Sequence, residues 1–468
     1  MHPNKLQFLL SSSAENLIRL VVVLERRRST SPGSEYDPII QAMLRYCDEY
    51  KQAYLQHSKT INRLLAGDAL SGPEEMGIKV LLRNCINTFV VLHELLLFLP
   101  RESIRKEMHF FLRSLFGEAY DPKDLSVILT SIYNAFEYSL DSAITLLDVF
   151  VTKIPDPKQL QFGHVMELAI VDRDNPLSWG ILAHEFGHYI DQKQNISAPL
   201  ATDFVKKKIN PPATAASNIE KLFKNLASEI FADITAYYLL GPVSLLPVVN
   251  MELNLGMATD MPPSFDSVHP FTTTRATFIN DVAINEGMSL DLFGPFIETL
   301  RADDQEKLAK LDKPATEQRL QIDAYIRFFV NDIMDQILRS LGQLKLVRFD
   351  KFNLSIANQL KDRLLAKIPI GSRPAHSIDE VSASIAGLSL NPSVDDARRV
   401  FSLLREEPAL VSEVIAAGWI AKSQNKLRFF REAFGQKEEK IFPYLQAGIE
   451  DEDRLLMKSV EMISVTRD

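Results

Sequence analysis

The sequence predicts a predominantly α-helical protein with a small antiparallel sheet, so that the middle of the chain is of the α+β class. Apolar residues recur at steps of three and four residues through most of the first 150 residues and again from about Leu300 onward. This is the period of an amphipathic helix. Glycine and proline number 18 and 24 in 468 residues, which is too few for an all-β protein with many tight turns.

The length of the chain predicts more than one domain, because a domain usually holds about 100–200 residues. We expect an N-terminal helical region over residues 1–157, a central region over 158–300 and a C-terminal helical region over 301–468. The first boundary follows the turn-forming segment Pro155-Asp156-Pro157. Within the first region, the spacing of apolar residues over Leu125–Leu140 predicts a helix.

Composition excludes several classes of protein. A net charge of −9 argues against a dedicated nucleic-acid-binding protein, because such proteins carry a basic face. Two cysteines, Cys47 and Cys85, are too few for a disulfide framework or a cysteine-based zinc site, although one disulfide between them is left open. The most apolar long stretch, Val80–Pro100, contains charged and amide side chains, whereas a membrane span needs about 20 mostly apolar residues. We therefore expect no membrane span and a cytoplasmic location.

The central region is expected to contain a strand and two helices. The compact apolar run His164–Asp172 predicts a strand. Asp174-Asn175-Pro176 combines a capping side chain with proline, which predicts the start of a helix that runs to about Gln192. A second helix is expected from about Asn218 to Leu240. The connecting segment Gln194–Ala216 is rich in proline and small residues and would be either a lid over a cleft or a disordered connector.

The first of these helices contains the motif H-E-x-x-H, formed by His184-Glu185-Phe186-Gly187-His188. Positions four apart project from nearly the same side of a helix, so two imidazoles can reach one metal ion. Neutral imidazole nitrogens suit Zn²⁺, and the adjacent Glu185 carboxylate could accept a proton from a water on that metal. The alternative is an amphipathic helix whose histidines are four apart by chance. The apolar neighbours of the motif favour the metal site.

A catalytic zinc site usually takes three protein ligands and leaves one position for water. The second helix offers Glu229 and Asp233, again four residues apart. We assign Glu229 as the third ligand, and we expect Asp233 to accept a hydrogen bond from the other ring nitrogen of His184. The alternative is that both carboxylates lie on a solvated helix face.

The order of these motifs resembles the gluzincin class of zinc metallopeptidases, in which H-E-x-x-H is followed by E-x-x-x-D. A third motif, H-P-x-x-x-x-R, extends from His269 to Arg275. With it, the segment from Leu177 to about Phe278 is similar to the prenyl-protein and heat-shock-type peptidase family, and in particular to its soluble members. The resemblance implies a zincin-like catalytic core between two helical regions.

The resemblance also implies residue roles. His184, His188 and Glu229 would bind zinc, and Glu185 would act first as general base and then as general acid. His269 would donate a hydrogen bond to the developing oxyanion, although a histidine before proline is as often a plain turn residue. Arg275 would be a structural partner of the acids, or alternatively would form an ordinary surface ion pair.

Two further features have two readings each. Tyr237 and Tyr238 follow Asp233 by about one turn; either hydroxyl could polarise a substrate carbonyl, but packing is the commoner role of such helix aromatics. The resemblance implies that the strand His164–Asp172 is an edge strand that pairs with an extended substrate backbone; the alternative is that it is only a core strand.

These inferences predict a cytoplasmic zinc-dependent peptidase, with Zn²⁺ as cofactor and a polypeptide as substrate. We expect an endopeptidase, because no group for binding a substrate amino terminus stands out. Two alternatives stay open: a catalytically silent, zinc-stabilised helical interaction module, and a peptidase that is latent until a signal or partner binds. A regulatory protein partner or a homo-oligomer is compatible with each, and no nucleic-acid partner is expected.

Overall fold

The structure is a computed structural model of the full chain. It describes most of the sequence, and every structural statement below concerns these residues. They are residues 3–30, 37–96, 106–117, 125–130, 164–169, 173–209, 213–247, 272–288, 300–302, 305, 308–309, 312–376, 378–388 and 393–467.

The N-terminal region is helical, as its apolar periodicity predicts. Its helices are α1 Pro3–Thr30, α2 Asp37–Gln56, α3 Ser58–Ala66, α4 Gly72–Leu96 and α5 Lys106–Phe116. Helix α3 ends at Gly67, whose φ of 90° is left-handed. A residue without a Cβ adopts this conformation without steric strain, which explains why a glycine stops the helix there.

Two short strands follow, and one of them corrects the sequence analysis. Strand β1, Leu125–Thr130, pairs in parallel with strand β2, His164–Ala169. The helix predicted over Leu125–Leu140 is therefore wrong for its first six residues; residues 131–150 lie outside the described part of the chain. A short apolar run does not fix its own secondary structure, and here the partner strand supplies the hydrogen bonds. The predicted strand at His164 is confirmed as far as Ala169.

The central helices carry the candidate site. They are α6 Ile181–Gln194, α7 Ser197–Phe204, α8 Ala213–Leu240 and α9 Thr272–Asn285. Helix α7 continues as a π-helical turn over Val205–Ile209 and packs against α8. The segment predicted as a lid or a disordered connector is thus mostly helical. Its buried side chains explain the difference, because Ala201, Phe204 and Val205 enter the core.

The C-terminal region is again mostly helical and contains the antiparallel strand pair. Its elements are α10 Lys313–Gln343, α11 Lys351–Leu365, β3 Ser372–Pro374, α12 Ile378–Ala386, α13 Val394–Leu403, β4 Glu406–Pro408, α14 Val411–Phe434 and α15 Glu438–Arg467. Strands β3 and β4 pair in antiparallel fashion, with Arg373 opposite Glu407. The predicted fold class, predominantly α with a small antiparallel sheet, is confirmed. The strand pair nearest the central helices is the parallel one.

One hydrophobic core runs through all three regions. Helix α1 packs against α14 and α15, and α6 packs against α8. The indole N–H of Trp419 in α14 donates to the carbonyl oxygen of Leu177 at 3.2 Å, just before α6. At Gly418 the two segments are so close that a Cβ would lie 2.7 Å from Leu177 Cδ2. The C-terminal region therefore supports the start of the helix that carries H-E-x-x-H. The division into domains 1–157, 158–300 and 301–468 stays a prediction.

Two segments of the described chain, Leu6–Thr30 and Ile219–Pro247, are long and apolar enough to span a membrane. Their most apolar windows are 78% and 100% buried inside the protein. Core helices of a folded protein pass the same test, so the cytoplasmic location stays a prediction. Cys47 and Cys85 are both buried and both free.

Candidate metal centre

The local sequence places the H-E-x-x-H motif in the middle of a buried helix. A 3₁₀ turn over Ser178–Gly180 leads into α6, so the helix begins later than the capping segment Asp174-Asn175-Pro176 predicts. It ends where Asn195 takes a left-handed conformation with φ 50°. Just beyond, the Asp191 carboxylate accepts the backbone N–H of Ser197 at 2.7 Å and so fixes the turn into α7.

The structure brings three of the predicted ligands together from two helices. The Nε2 atoms of His184 and His188 are 3.2 Å apart. Each Nε2 atom is 3.5 Å from a carboxylate oxygen of Glu229 on α8. These three side chains form a group that could hold a metal ion, and 41 residues of sequence separate His188 from Glu229.

Asp233 and Arg275 form a buried ion pair beside this group. The Arg275 guanidinium donates from Nε and Nη2 to the two carboxylate oxygens of Asp233, each at 2.7 Å. Both side chains are almost fully buried, at 2% and 1% exposure. Asp233 Oδ1 lies 3.0 Å from Nδ1 of His184, which is the contact that the sequence analysis expects. Arg275 is therefore not part of a surface ion pair.

Electrostatics at His184 reflect these neighbours. Burial lowers the pKa of the His184 imidazole, but hydrogen bonds to Asp233 and Glu229 outweigh that effect and raise its pKa to about 10. Burial would raise the pKa of Asp233, but Arg275 and His184 together hold it below its usual value. The raised pKa favours the protonated imidazole, so a metal ion would compete with a proton at His184.

Glu185, the predicted general base, follows His184 on α6 and is only 3% exposed. Its negative charge contributes to the raised pKa of His184, so the carboxylate acts electrostatically on the ligand group.

Two residues of the centre were missed by the sequence analysis. Ser228 Oγ lies 3.2 Å from Nδ1 of His188, so each ligand histidine has a polar partner on the ring nitrogen that faces away from Glu229. Gly187 lies against α8: a Cβ there would be 2.5 Å from Ala232 Cα. The sequence offered a signal for Gly187 only, because a glycine in a helix interior often marks a close approach.

The remaining predicted site residues fall into two groups. His269 lies outside the described residues, so its proposed role stays a prediction. Tyr237 and Tyr238 are buried and engaged elsewhere: the Tyr237 hydroxyl donates to Glu286 at 2.8 Å, and Arg348 lies over the Tyr238 ring at 5.7 Å. These contacts agree with the packing interpretation of the two tyrosines.

Comparison of the chain with known protein families, with curated proteins and with solved structures finds no match. The geometry of the metal centre is therefore the basis for assigning a function.

Proposed function

We propose that this protein is a zinc-dependent peptidase of the gluzincin type. The observation that carries the proposal is the convergence of His184, His188 and Glu229 on one point; Glu185, which follows His184 in the chain, is buried as well. Three protein ligands leave one coordination position for water or substrate, which is typical of catalytic zinc sites, whereas structural sites are closed by four.

The donor set and its spacing support zinc. Two imidazoles with one carboxylate suit Zn²⁺ better than Mg²⁺ or Ca²⁺, which prefer oxygen ligands. Tetrahedral zinc with bonds of about 2.0–2.2 Å places neighbouring ligand atoms about 3.3–3.6 Å apart. The distances of 3.2 and 3.5 Å among the three side chains lie close to that spacing without any rearrangement of the helices.

The surrounding residues hold the ligands in the form that a metal needs. Asp233, itself fixed by Arg275, lies 3.0 Å from Nδ1 of His184, where it would accept the Nδ1 proton of the metal-bound imidazole and leave the Nε2 lone pair for the metal. Ser228 can accept the Nδ1 proton of His188 in the same way. Such partners fix the ring orientation and raise the basicity of the ligand.

The chemistry then follows from the residues next to the ligands. A zinc ion held there would polarise the scissile carbonyl and lower the pKa of its water. Glu185 would accept a proton from the attacking water and pass it to the leaving amine. His269 is proposed to stabilise the oxyanion, as the family resemblance implies.

Metal analysis of the purified protein tests the first part of this proposal. We expect near-stoichiometric zinc in the wild type and its loss in Glu229→Ala. Glu220→Ala is a matched control on the same helix, because Glu220 pairs with Lys224 and Thr202 at the surface. The absence of zinc from the wild type, or full zinc content in Glu229→Ala, would contradict the assignment.

Cleavage of an unfolded polypeptide tests the second part. Glu185→Gln should retain zinc and lose cleavage by several orders of magnitude, because the carboxamide cannot accept the proton. If neither protein cleaves although zinc is bound, the silent interaction module becomes the better assignment. Cleavage that rises on addition of a partner would identify the latent peptidase. Cleavage by Glu185→Gln at the wild-type rate would refute the mechanism.

A further inference from the structure

A cavity lies between α1, α11, α14 and α15, and none of the metal-centre residues lines it. Its volume is about 180 Å³. An apolar cavity of about 150 Å³ is enough to bind benzene, so this one can hold an aromatic ring or a short alkyl chain. Its apolar wall is formed mainly by Leu364, Phe430, Leu445, Ile449, Leu455 and Leu456.

One side of the cavity is charged. Glu15, Lys422 and Glu452 line it. The Lys422 ammonium donates to Glu15, and Arg19 donates to Glu15 and, at 3.0 Å, to Asp453. Lys422 and Arg19 are 8% and 5% exposed, so this network lies inside the protein.

The network contains two cations, Arg19 and Lys422, and three carboxylates, Glu15, Glu452 and Asp453. Among the described residues it therefore carries one excess negative charge when all five groups are ionised. Burial raises the pKa of Asp453 to about 7; Glu452 adds to the rise, and Arg19 opposes it. Desolvation is thus the main cause of the raised pKa of Asp453, and the like charge of Glu452 adds to it.

Of the three carboxylates in the network, Glu452 is the one without a paired cation among the described residues. Among the described residues no hydrogen-bond or ion-pair partner of Glu452 is found, although its charge acts on Lys422 and Asp453. Lys367 also lines the cavity, but it is exposed, so water and salt screen its charge. The inner wall thus offers one carboxylate to a ligand whose apolar part fills the remaining space.

We propose that this cavity binds a small organic amine, with its ammonium group beside Glu452 and an aromatic or short alkyl body among the apolar side chains. The inference is independent of the metal centre and of the proposed peptidase activity. An amine supplies the missing positive charge, a neutral analogue fills the volume alone, and a carboxylic acid adds to the excess negative charge.

Calorimetric titration of the full chain with three matched probes tests the proposal: 2-phenylethylamine, 2-phenylethanol and 3-phenylpropionate. We expect the amine to bind at least tenfold more tightly than the alcohol, and the acid to bind most weakly. Equal affinity for the three probes, tighter binding of the acid, or no binding of the amine would each overturn the proposal.

Variants locate the site. Glu452→Gln should reduce amine affinity to that of the alcohol while leaving the alcohol unaffected, and the removal of excess charge should not impair folding. Glu450→Gln is the matched control on the same helix, because Glu450 does not line the cavity and accepts from Gln446. Ala421→Leu should fill the cavity and abolish binding of the amine and the alcohol together. Unchanged amine affinity in Glu452→Gln or in Ala421→Leu would contradict the proposed location.

Discussion

Replacing Gly187 by alanine should disrupt the metal centre without touching a ligand. Gly187 lies in α6 where it meets α8, and a Cβ there would be 2.5 Å from Ala232 Cα and 3.0 Å from Thr235 Cβ. Both neighbours are rigid, since one contact is with backbone and the other with a β-branched carbon. To reach ordinary van der Waals contact the two helices must move apart by about 1 Å.

The sign of the change in the free energy of unfolding distinguishes overpacking from the intrinsic helix preference of alanine over glycine. An alanine in an open helix position gains about 0.5–1 kcal/mol over glycine. Overpacking of a close contact costs about 1–3 kcal/mol. At Gly187 the cost of overpacking should exceed the gain in helix preference, so the free energy of unfolding should fall. Zinc affinity should fall at least tenfold as well, because metal sites tolerate ligand displacements of only about 0.2 Å, and α6 and α8 supply different ligands.

Urea unfolding and a competitive zinc titration measure the two effects. Gly342→Ala is the matched control: it is also a helical glycine, but the nearest atom to its added Cβ is Tyr238 Oη at 4.0 Å. That control should be slightly stabilised and should keep its zinc affinity. A Gly187→Ala protein that is more stable than wild type, with unchanged zinc binding, would refute the close-contact argument.

Three further predictions concern side chains that hold other residues in place. Arg275→Met removes the guanidinium from the buried Asp233 carboxylate and leaves it only the His184 contact, so the free energy of unfolding should fall by about 3–5 kcal/mol in urea titrations. Ser228→Ala removes the partner of His188 Nδ1 and should weaken zinc binding about tenfold in a competitive titration. The raised pKa of Asp453 means that the folded state holds a proton that the unfolded chain releases above pH about 4. Its contribution to stability is therefore lost as pH rises towards about 7, and Asp453→Asn should flatten that part of the urea-midpoint profile.

Each of these predictions has a control on this chain. Arg63→Met breaks an exposed ion pair with Glu74 and should leave stability unchanged; an equal loss in both arginine variants would contradict a special role for Arg275. Thr235→Ala removes a hydroxyl that donates to Phe231 within α8 and should retain zinc affinity. If wild type and Asp453→Asn lose stability with pH at the same rate, Asp453 does not hold the proton.

The sequence could predict the parts of the site that depend on local geometry. The spacing of His184 and His188 within one helix, and of Glu229 and Asp233 within another, follows from the period of the α-helix. The sequence could not show that the two helices meet, because no local pattern encodes which helix faces touch. The sequence analysis expected the contact of His184 with Asp233. The bidentate contact of Arg275 with Asp233, in contrast, depends on where α9 packs.

Local ambiguity explains the errors. Leu125–Thr130 has apolar residues at both helical and strand spacings. It forms a strand because its backbone pairs with that of His164–Ala169. The segment after Gln194 contains residues that avoid helices, yet burial of Phe204 stabilises a helix there.

By itself, the amino-acid sequence determined the helical character of the chain and the spacings of His184 with His188 and of Glu229 with Asp233, because both depend on side chains only a few positions apart. The tertiary structure alone decided that α6 approaches α8 closely at Gly187 and that Glu15, Lys422 and Glu452 line one side of a cavity. These features join residues tens to hundreds of positions apart, and their positions depend on how whole helices pack rather than on any short stretch of sequence.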